Sequence, residues 1–245
     1  MRLSFGEAYT QGIRVKSGVT AIVQARMSSL RLPNKVLSEV NGKPLLQFLL
    51  ESLRRSRILR DVIVATSVDA TDDAVEGFCQ GYGVKCYRGS LDNVAKRFND
   101  AIEAYGISAF LRVSGDSPLL DYRLADTAVS IYGSGKYDMV TNVLKRSYPK
   151  GQSVEVVKAS RFKDTYPLMT DVKDREHVTK YLYAHSDKFA ISNFEADRNY
   201  SAIQLSVDSP GDFEKFKAIV SLMTRPHWEY PFTRIVKMAS DCEPV

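Results

Sequence analysis

The stretch Gln24-Ala25-Arg26-Met27-Ser28-Ser29-Leu30-Arg31-Leu32-Pro33-Asn34-Lys35-Val36-Leu37 sets Arg26, Arg31 and Lys35 close together, directly after the apolar run Thr20-Ala21-Ile22-Val23. Arginine offers phosphate oxygens a rigid fork of donors, and lysine offers a point charge on a flexible stem. A strand end adds free backbone N–H groups, and small Ser28 and Ser29 permit close approach, so the stretch has the means to neutralise a polyphosphate. A solvated basic loop would account for the same residues. The stretch is not a Walker loop: G-x-x-x-x-G-K-[ST] is absent, and the one Gly-Lys pair, Gly42-Lys43, runs into Pro44.

Two carboxylates stand at comparable places. The β-rich run ending Arg112-Val113-Ser114-Gly115-Asp116-Ser117-Pro118 puts Asp116 at a strand's carboxyl edge, where hard oxygen ligands hold Mg²⁺ beside a nucleotide phosphate. A turn or helix-capping aspartate is the competing reading. Leu205-Ser206-Val207-Asp208-Ser209-Pro210-Gly211-Asp212 repeats the arrangement; Asp208 is the expected second ligand, and Asp212 the expected N-cap of the helix that follows.

These groups need a scaffold that brings separate strand ends to one edge. Short β-rich runs at 19–24, 62–67, 84–88, 109–114, 139–143 and 203–207 alternate with helical patterns at 72–81, 91–105, 122–132, 175–185 and 212–223. Such alternation predicts an α/β fold with a mostly parallel sheet, whose ligands bind at the carboxyl ends of the strands. Pro44 opens a further helix whose stripe of Leu45, Leu46, Leu49, Leu50 and Leu53 reads as core. Between 148 and 195 the pattern changes: 153–157 and 189–192 read as extra strands of a small insertion on the same sheet. The expected division is an N-terminal extension over 1–18 and one domain over 19–245.

Composition narrows the function classes. The chain has 245 residues, 44% of them apolar, enough for a sizeable core. Thirty-four Lys and Arg against 29 Asp and Glu give a net charge of +5, which suits an anionic small molecule and falls short of the clustered basic stripes of a nucleic-acid binder. Three cysteines without a C-x-x-C pair imply neither a disulfide framework nor a zinc site and point to a reducing cytoplasm. No segment approaches the roughly 18 apolar residues of a membrane span.

The opening stretch, followed by Asn41-Gly42-Lys43-Pro44-Leu45-Leu46, resembles the signature of the cytidylyltransferases that make CMP-sugars from 3-deoxy-manno-octulosonate and acylneuraminate. It is most similar to the branch of spore coat polysaccharide biosynthesis protein F. The resemblance runs through Val64-Ala65-Thr66-Ser67, Arg88-Gly89-Ser90-Leu91-Asp92-Asn93-Val94, GDSPLLD, Arg175-Glu176-His177-Val178-Thr179 and VDSPGDF, over about residues 19 to 222. It implies a Rossmann-like nucleotidyltransferase sandwich, CTP and a sugar acceptor as substrates, Mg²⁺ as cofactor and a homodimer.

By that resemblance Arg26 and Lys35 match triphosphate contacts, and Asp116 and Asp208 match the metal ligands. Gln24, Ala25, Ser28, Ala65, Thr66, Ser67, Ser90, Asp92 and Ser114 match the nucleotide pocket. Gln152, Glu155, Arg175 and His177 fall in the region that faces the acceptor or the dimer partner. Arg175 has two readings, a bidentate clamp on an acceptor carboxylate or an ion pair with Glu155 or Glu176. His177 reads as a base or as a packed, hydrogen-bonded side chain.

The chain departs from the family pattern at Leu30, where Thr is usual, at Asn34, where Gly is usual, and at Asn93, where an acid is usual. Asn tolerates a left-handed backbone, so the turn at 34 can survive the change. The expected reaction transfers CMP from CTP to a 2-keto sugar acid, for a surface polysaccharide or glycan, with release of pyrophosphate. The alternatives are a sugar-1-phosphate nucleotidyltransferase and a non-catalytic nucleotide-binding protein.

Overall fold

A computed structural model describes residues 18–242. The extension expected over 1–18 therefore lies, apart from Gly18, outside the described residues. Val19–Gln24 (β1) is buried up to its last residue, the pattern of a strand covered on both faces. The basic loop follows, then a short hairpin of Glu39–Val40 (β2) and Lys43–Pro44 (β3), and the helix Leu45–Leu53 (α1). The chain continues through Asp61–Ser67 (β4), Asp73–Tyr82 (α2), Lys85–Gly89 (β5), Val94–Ala104 (α3), Ala109–Ser114 (β6) and Tyr122–Tyr132 (α4). Met139–Thr141 (β7), Glu155–Lys158 (β8), Ala159–Thr165 (α5), Val172–Glu176 (α6), Lys180–Ala184 (α7), Ile191–Asn193 (β9), Pro210–Ser221 (α8) and Phe232–Asp241 (α9) complete it.

Seven strands form one sheet in the order β5-β4-β1-β6-β8-β7-β9. β8 runs antiparallel to both its neighbours, and the other pairings are parallel. From β1 the chain moves to β4 and β5 on one side, then returns to lay β6 on the other. That reversal opens a crevice at the carboxyl ends of β1 and β6, where open α/β sheets seat their ligands. Gln24 and Ser114 are the last paired residues of the two strands. Just beyond them Gly115 N donates to Gln24 O at 2.8 Å, and a Cβ on Gly115 would come within 2.9 Å of that oxygen. Only glycine lets the two strand ends stay this close.

Side chains of β1 alternate between two apolar layers. Val19, Ala21 and Val23 pack with the leucines of α1 and with residues of α2 and α4, while Ile22 packs with Phe98 of α3 and Phe162 of α5. Leu45 and Phe48 turn instead toward α8 and α9, where they meet Phe216, Ile235 and Met238. The leucine stripe of α1 is thus core, as its spacing predicts.

Three expectations are corrected. Residues 203–207 form no strand: a single bridge joins Gln204 to Lys150, and Leu205 and Val207 bury their side chains against α8 and α9. Their alternation reflects burial against helices, which periodicity alone does not distinguish from strand pairing. The helix expected over 175–185 is two short helices, α6 and α7, broken at Val178, whose φ is 38°. A β-branched residue in this region is strained, and full burial of Val178 holds it there. Asp212 is not the cap of α8: Ser209 is, and Asp212 completes its capping box by accepting Ser209 N at 2.8 Å.

Two glycines show opposite demands on the backbone. Gly151, at φ 91°, lies so close to the 203–207 segment that a Cβ would sit 2.5 Å from Ser206 N and 2.7 Å from Leu205 C. Gly151→Ala is expected to cost about 2–4 kcal/mol, lowering the midpoint of thermal unfolding by about 5–12 °C. Gly77→Ala, on α2 with open space around it, should raise the midpoint by about 2 °C. A Gly151→Ala protein that melts with the wild type would show that the clash is not there.

His227 is buried and donates from Nε2 to Phe48 O at 2.7 Å, tying the segment before α9 to α1. Burial pulls its pKa down to about 4 from 6.5, outweighing the hydrogen bond to Phe48 and nearby Glu51. The unfolded chain therefore binds an extra proton between pH 6.5 and 4, so stability falls as pH drops through that window, by about 3 kcal/mol at most. Denaturant titrations across the window should show this loss in the wild type and its absence in His227→Gln.

Candidate active site

The basic loop leaves β1 in extended form, with Ala25 N still bonded to Ala65 O at 3.2 Å. Buried Asp72 then accepts Met27 N at 2.7 Å, and Met27 O accepts both Ser29 N and Asn34 N at 2.9 Å, which folds the loop back on itself. Asn34 adopts a left-handed conformation, φ 62°, where the family pattern has glycine. The turn survives because asparagine reaches that region at low cost. It launches the single helical turn Lys35–Leu37, in which Val36 is buried and Lys35 points inward.

Lys35 is 8% exposed. Its ammonium donates to Val207 O at 2.7 Å and Asp208 Oδ1 at 3.0 Å, and it lies 3.6 Å from Asp116 Oδ2. One cation thus gathers the ends of β1 and β6 and the segment before α8. Arg31 reaches Asp208 Oδ1 at 3.3 Å, but its side chain is 71% exposed, so the contact is weak. Burial would raise the pKa of Asp208, yet Lys35 and Arg31 outweigh it and hold the carboxyl below its usual value. Asp208 is therefore available as an anionic oxygen donor at neutral pH.

Two carboxylates alone do not make a cation cage, and among the described residues no cluster of three or more metal-ligating side chains occurs. The pair does fit Mg²⁺, which binds through one or two carboxylates and completes its shell with water and substrate phosphates. Asp116 and Asp208 would hold such an ion beside Lys35.

The cleft around this hub has a volume of about 410 Å³. Gln24, Ala25, Arg26, Lys35, Ser114, Asp116, His177 and Asp208 line it, so the structure brings these expected residues together. Ala65, Thr66 and Ser67 lie buried behind it. Ala65 O anchors the loop, Ser67 Oγ donates to Asp72 at 2.5 Å, and Thr66 Oγ1 is the one buried side-chain polar atom among the described residues with no hydrogen-bond partner. Ser28 and Asp92 are exposed, and Ser90 Oγ accepts Asn93 N at 3.1 Å.

Gln152 is fully buried, with its amide donating to Leu119 O at 2.7 Å and accepting Asp121 N at 2.9 Å. Buried Glu155 pairs with Arg112 and accepts Thr179 Oγ1 at 2.7 Å and the Tyr183 hydroxyl at 2.5 Å. Burial opposes its charge, but Arg112 and these two donors keep it ionised below its usual pKa. The ion pairs open to Arg175 do not form: Glu176 lies 3.6 Å from Arg26 instead, and Arg175 Nε donates to Met169 O at 3.0 Å.

Two cleft residues escaped the sequence reading. Arg112 sits in β6 between apolar neighbours, donates to Gln24 Oε1 at 3.1 Å and lines both the cleft and the hollow on the Glu155 side. Arg97 lies on the apolar face of α3 and is 1% exposed. Its guanidinium spans Ser90 O at 2.9 and 2.7 Å, Leu91 O at 3.1 Å and Ala65 O at 3.4 Å. Burial lowers its pKa to about 10, so it stays charged. The signal was present in both cases: a charge placed in phase with a helix's or strand's apolar positions.

A mostly parallel sheet with a cationic loop on β1, one carboxylate beyond the end of β6 and a second on the segment before α8 defines a Rossmann-like nucleotidyltransferase. The cytidylyltransferase family model matches residues 20–230, and the chain belongs to that family. The spore coat polysaccharide biosynthesis protein SpsF of Bacillus subtilis is 33% identical over 207 residues, 81% of this chain and 84% of that protein. A 3-deoxy-manno-octulosonate cytidylyltransferase of Geobacter sulfurreducens is 33% identical over 112 residues, 46% of this chain and 44% of its own length. The solved structure of a cytidylyltransferase from Leptospira borgpetersenii superposes with a TM-score of 0.86 at 28% identity, covering 92% of this chain and 94% of the other.

Arg97→Lys tests the buried fork. Lysine cannot span three carbonyls, and leaving two of them unbonded should cost about 2–3 kcal/mol, or about 5–10 °C in unfolding midpoint. The loop at 90–93 should also become more open to proteolysis, which limited digestion would detect.

Proposed function

We propose that the protein transfers CMP from CTP to a sugar acceptor, a 2-keto sugar acid such as an octulosonate or nonulosonate, with release of pyrophosphate, in making a surface polysaccharide or glycan. The observation that carries this reading is the Lys35 ammonium within 3.0 Å of Asp208 and 3.6 Å of Asp116 at the sheet's switch point. Membership of the cytidylyltransferase family supplies the nucleotide, and the relative acting on an octulosonate supplies the acceptor class. The SpsF relative supplies the polysaccharide setting.

In this reading the acceptor hydroxyl attacks the α-phosphorus in line; a new O–P bond forms, the bond to the oxygen bridging to the β-phosphate breaks, and the hydroxyl's proton passes to solvent. Arg26 and Lys35 face the departing pyrophosphate and take up its growing charge, while Gln24, Ala25 and Ser114 shape the nucleotide's seat. Mg²⁺ held by Asp116 and Asp208 would supply charge neutralisation and phosphate orientation. Arg112, fixed between Gln24 and Glu155, keeps the two sides of the site in register.

The protein would work as a homodimer in a reducing cytoplasm, which suits its free Cys79, Cys86 and Cys242. Residues 19–245 would act as one domain, with 148–195 toward the acceptor and the partner subunit. Among the described residues no helix is long and apolar enough to cross a membrane.

The experiment is a pyrophosphate-release screen of CTP and the other nucleoside triphosphates against 2-keto sugar acids and sugar phosphates with Mg²⁺ present. Asp116→Ala and Asp208→Ala should abolish release while circular dichroism shows a folded protein. Lys35→Ala should slow it by about 10²-fold or more, the scale of one strong transition-state contact. Undiminished turnover in either aspartate variant would sink the two-carboxylate site.

A further inference from the structure

Beside the cleft lies a second hollow of about 240 Å³, whose walls include Arg112, Ser114, Asp116, Arg146, Lys150 and Ser153. Arg112, Ser114 and Asp116 face both spaces, so the hollow opens onto the carboxylate end of the nucleotide site. Its charges do not balance. Arg112 is matched by Glu155, and Asp116 by Lys35. Arg146 and Lys150 have no carboxylate within ion-pair distance among the described residues; Arg146 Nη1 donates only to Ser153 Oγ, at 3.1 Å. Two uncompensated cations on one concave wall repel each other until an anion joins them.

Both are mounted on fixed backbone. Lys150 N donates to Ile203 O at 3.0 Å and Lys150 O accepts Leu205 N at 2.9 Å, and the close approach at Gly151 locks that junction. The segment gripped in this way, 203–208, also carries Asp208. Arg146 is followed by Ser147, whose carbonyl and hydroxyl hold Tyr200 N at 2.7 Å and Ala196 N at 2.8 Å. Gln152 and Glu155, between the same elements, are spent on internal hydrogen bonds.

We propose that this hollow seats the acceptor, and that Arg146 and Lys150 take an anionic group on it, a carboxylate or a phosphate monoester, leaving its hydroxyl to face the Asp116 side. The proposal rests on the transfer of CMP to a sugar and names the residues that read the acceptor. Arg146 supplies a fork and Lys150 a point charge, the combination that oxyanions favour. Neither residue touches the nucleotide cleft, so acceptor and nucleotide affinity are separable.

The test uses the full chain and measures binding without turnover, by NMR titration with three probes: 3-deoxy-manno-octulosonate, its neutral methyl ester and glucose 1-phosphate. The affinity of CTP is measured alongside. In the wild type one of the two anions should bind about tenfold or more tighter than the ester, and which one it is distinguishes carboxylate from phosphate. Arg146→Gln and Lys150→Gln should each weaken that anion about five- to tenfold and leave CTP within twofold, while Arg146→Lys keeps most of the affinity. Anions that bind no better than the ester, or equally well to both glutamine variants, overturn the proposal. Failure of the wild type to bind CTP would instead overturn the transfer reaction, and the probe series would still decide the hollow.

Discussion

The site depends on one buried ammonium. Lys35 has been taken out of water, and a charge so placed is tolerated only if fully partnered. Its partners are a carbonyl and two carboxylates from elements far apart in the chain, Val207, Asp208 and Asp116. Val207 N in turn donates to Asp116 O at 2.8 Å, so backbone and side chains knot at one point. Backbone groups of 203–208 bond Lys150, Tyr200 and Asp116, and its apolar side chains pack on α8 and α9, so the segment is satisfied without joining the sheet.

The knot also sets the electrostatic order of the cleft. Arg26 and Arg31 lie on the loop after β1, Asp116 and Asp208 share Lys35, and Arg112 is already neutralised by Glu155. Rigidity comes from the sheet, since Gln24 and Ser114 are a register pair and Gly115 closes the gap between them.

Much of this could be read from residues in order. β1, β6 and the leucine stripe of α1 carry strong periodic patterns because each is buried on one or both faces, and the catalytic candidates stand just beyond them. What could not be read was decided by contacts distant in sequence. Ile203 to Val207 alternates like a strand, but the partner for its apolar face is a helix pair that follows it. Val178 breaks a helix pattern that propensity would continue, because Thr179 is drawn inward to Glu155. Asp212 shifted from cap to capping-box partner by a difference of three residues, finer than a sequence pattern resolves.

The two halves of the site differ in how they are written into the chain, and this bears on what the family can vary. Gln24, Ser114 and Asp116 end or follow buried strands, so their positions are tied to the core. Arg146 and Lys150 sit on loops, where a cation leaves no periodic trace, and only the hydrogen bonds of Lys150 and Ser147 show that these loops are fixed. Gln152 and Glu155, expected near the acceptor from the resemblance alone, are buried and spent on internal hydrogen bonds. A binding cation has the opposite signature: it lacks an internal partner. In the proposed acceptor seat, loop residues such as Arg146 and Lys150 can therefore change without disturbing the Lys35 knot.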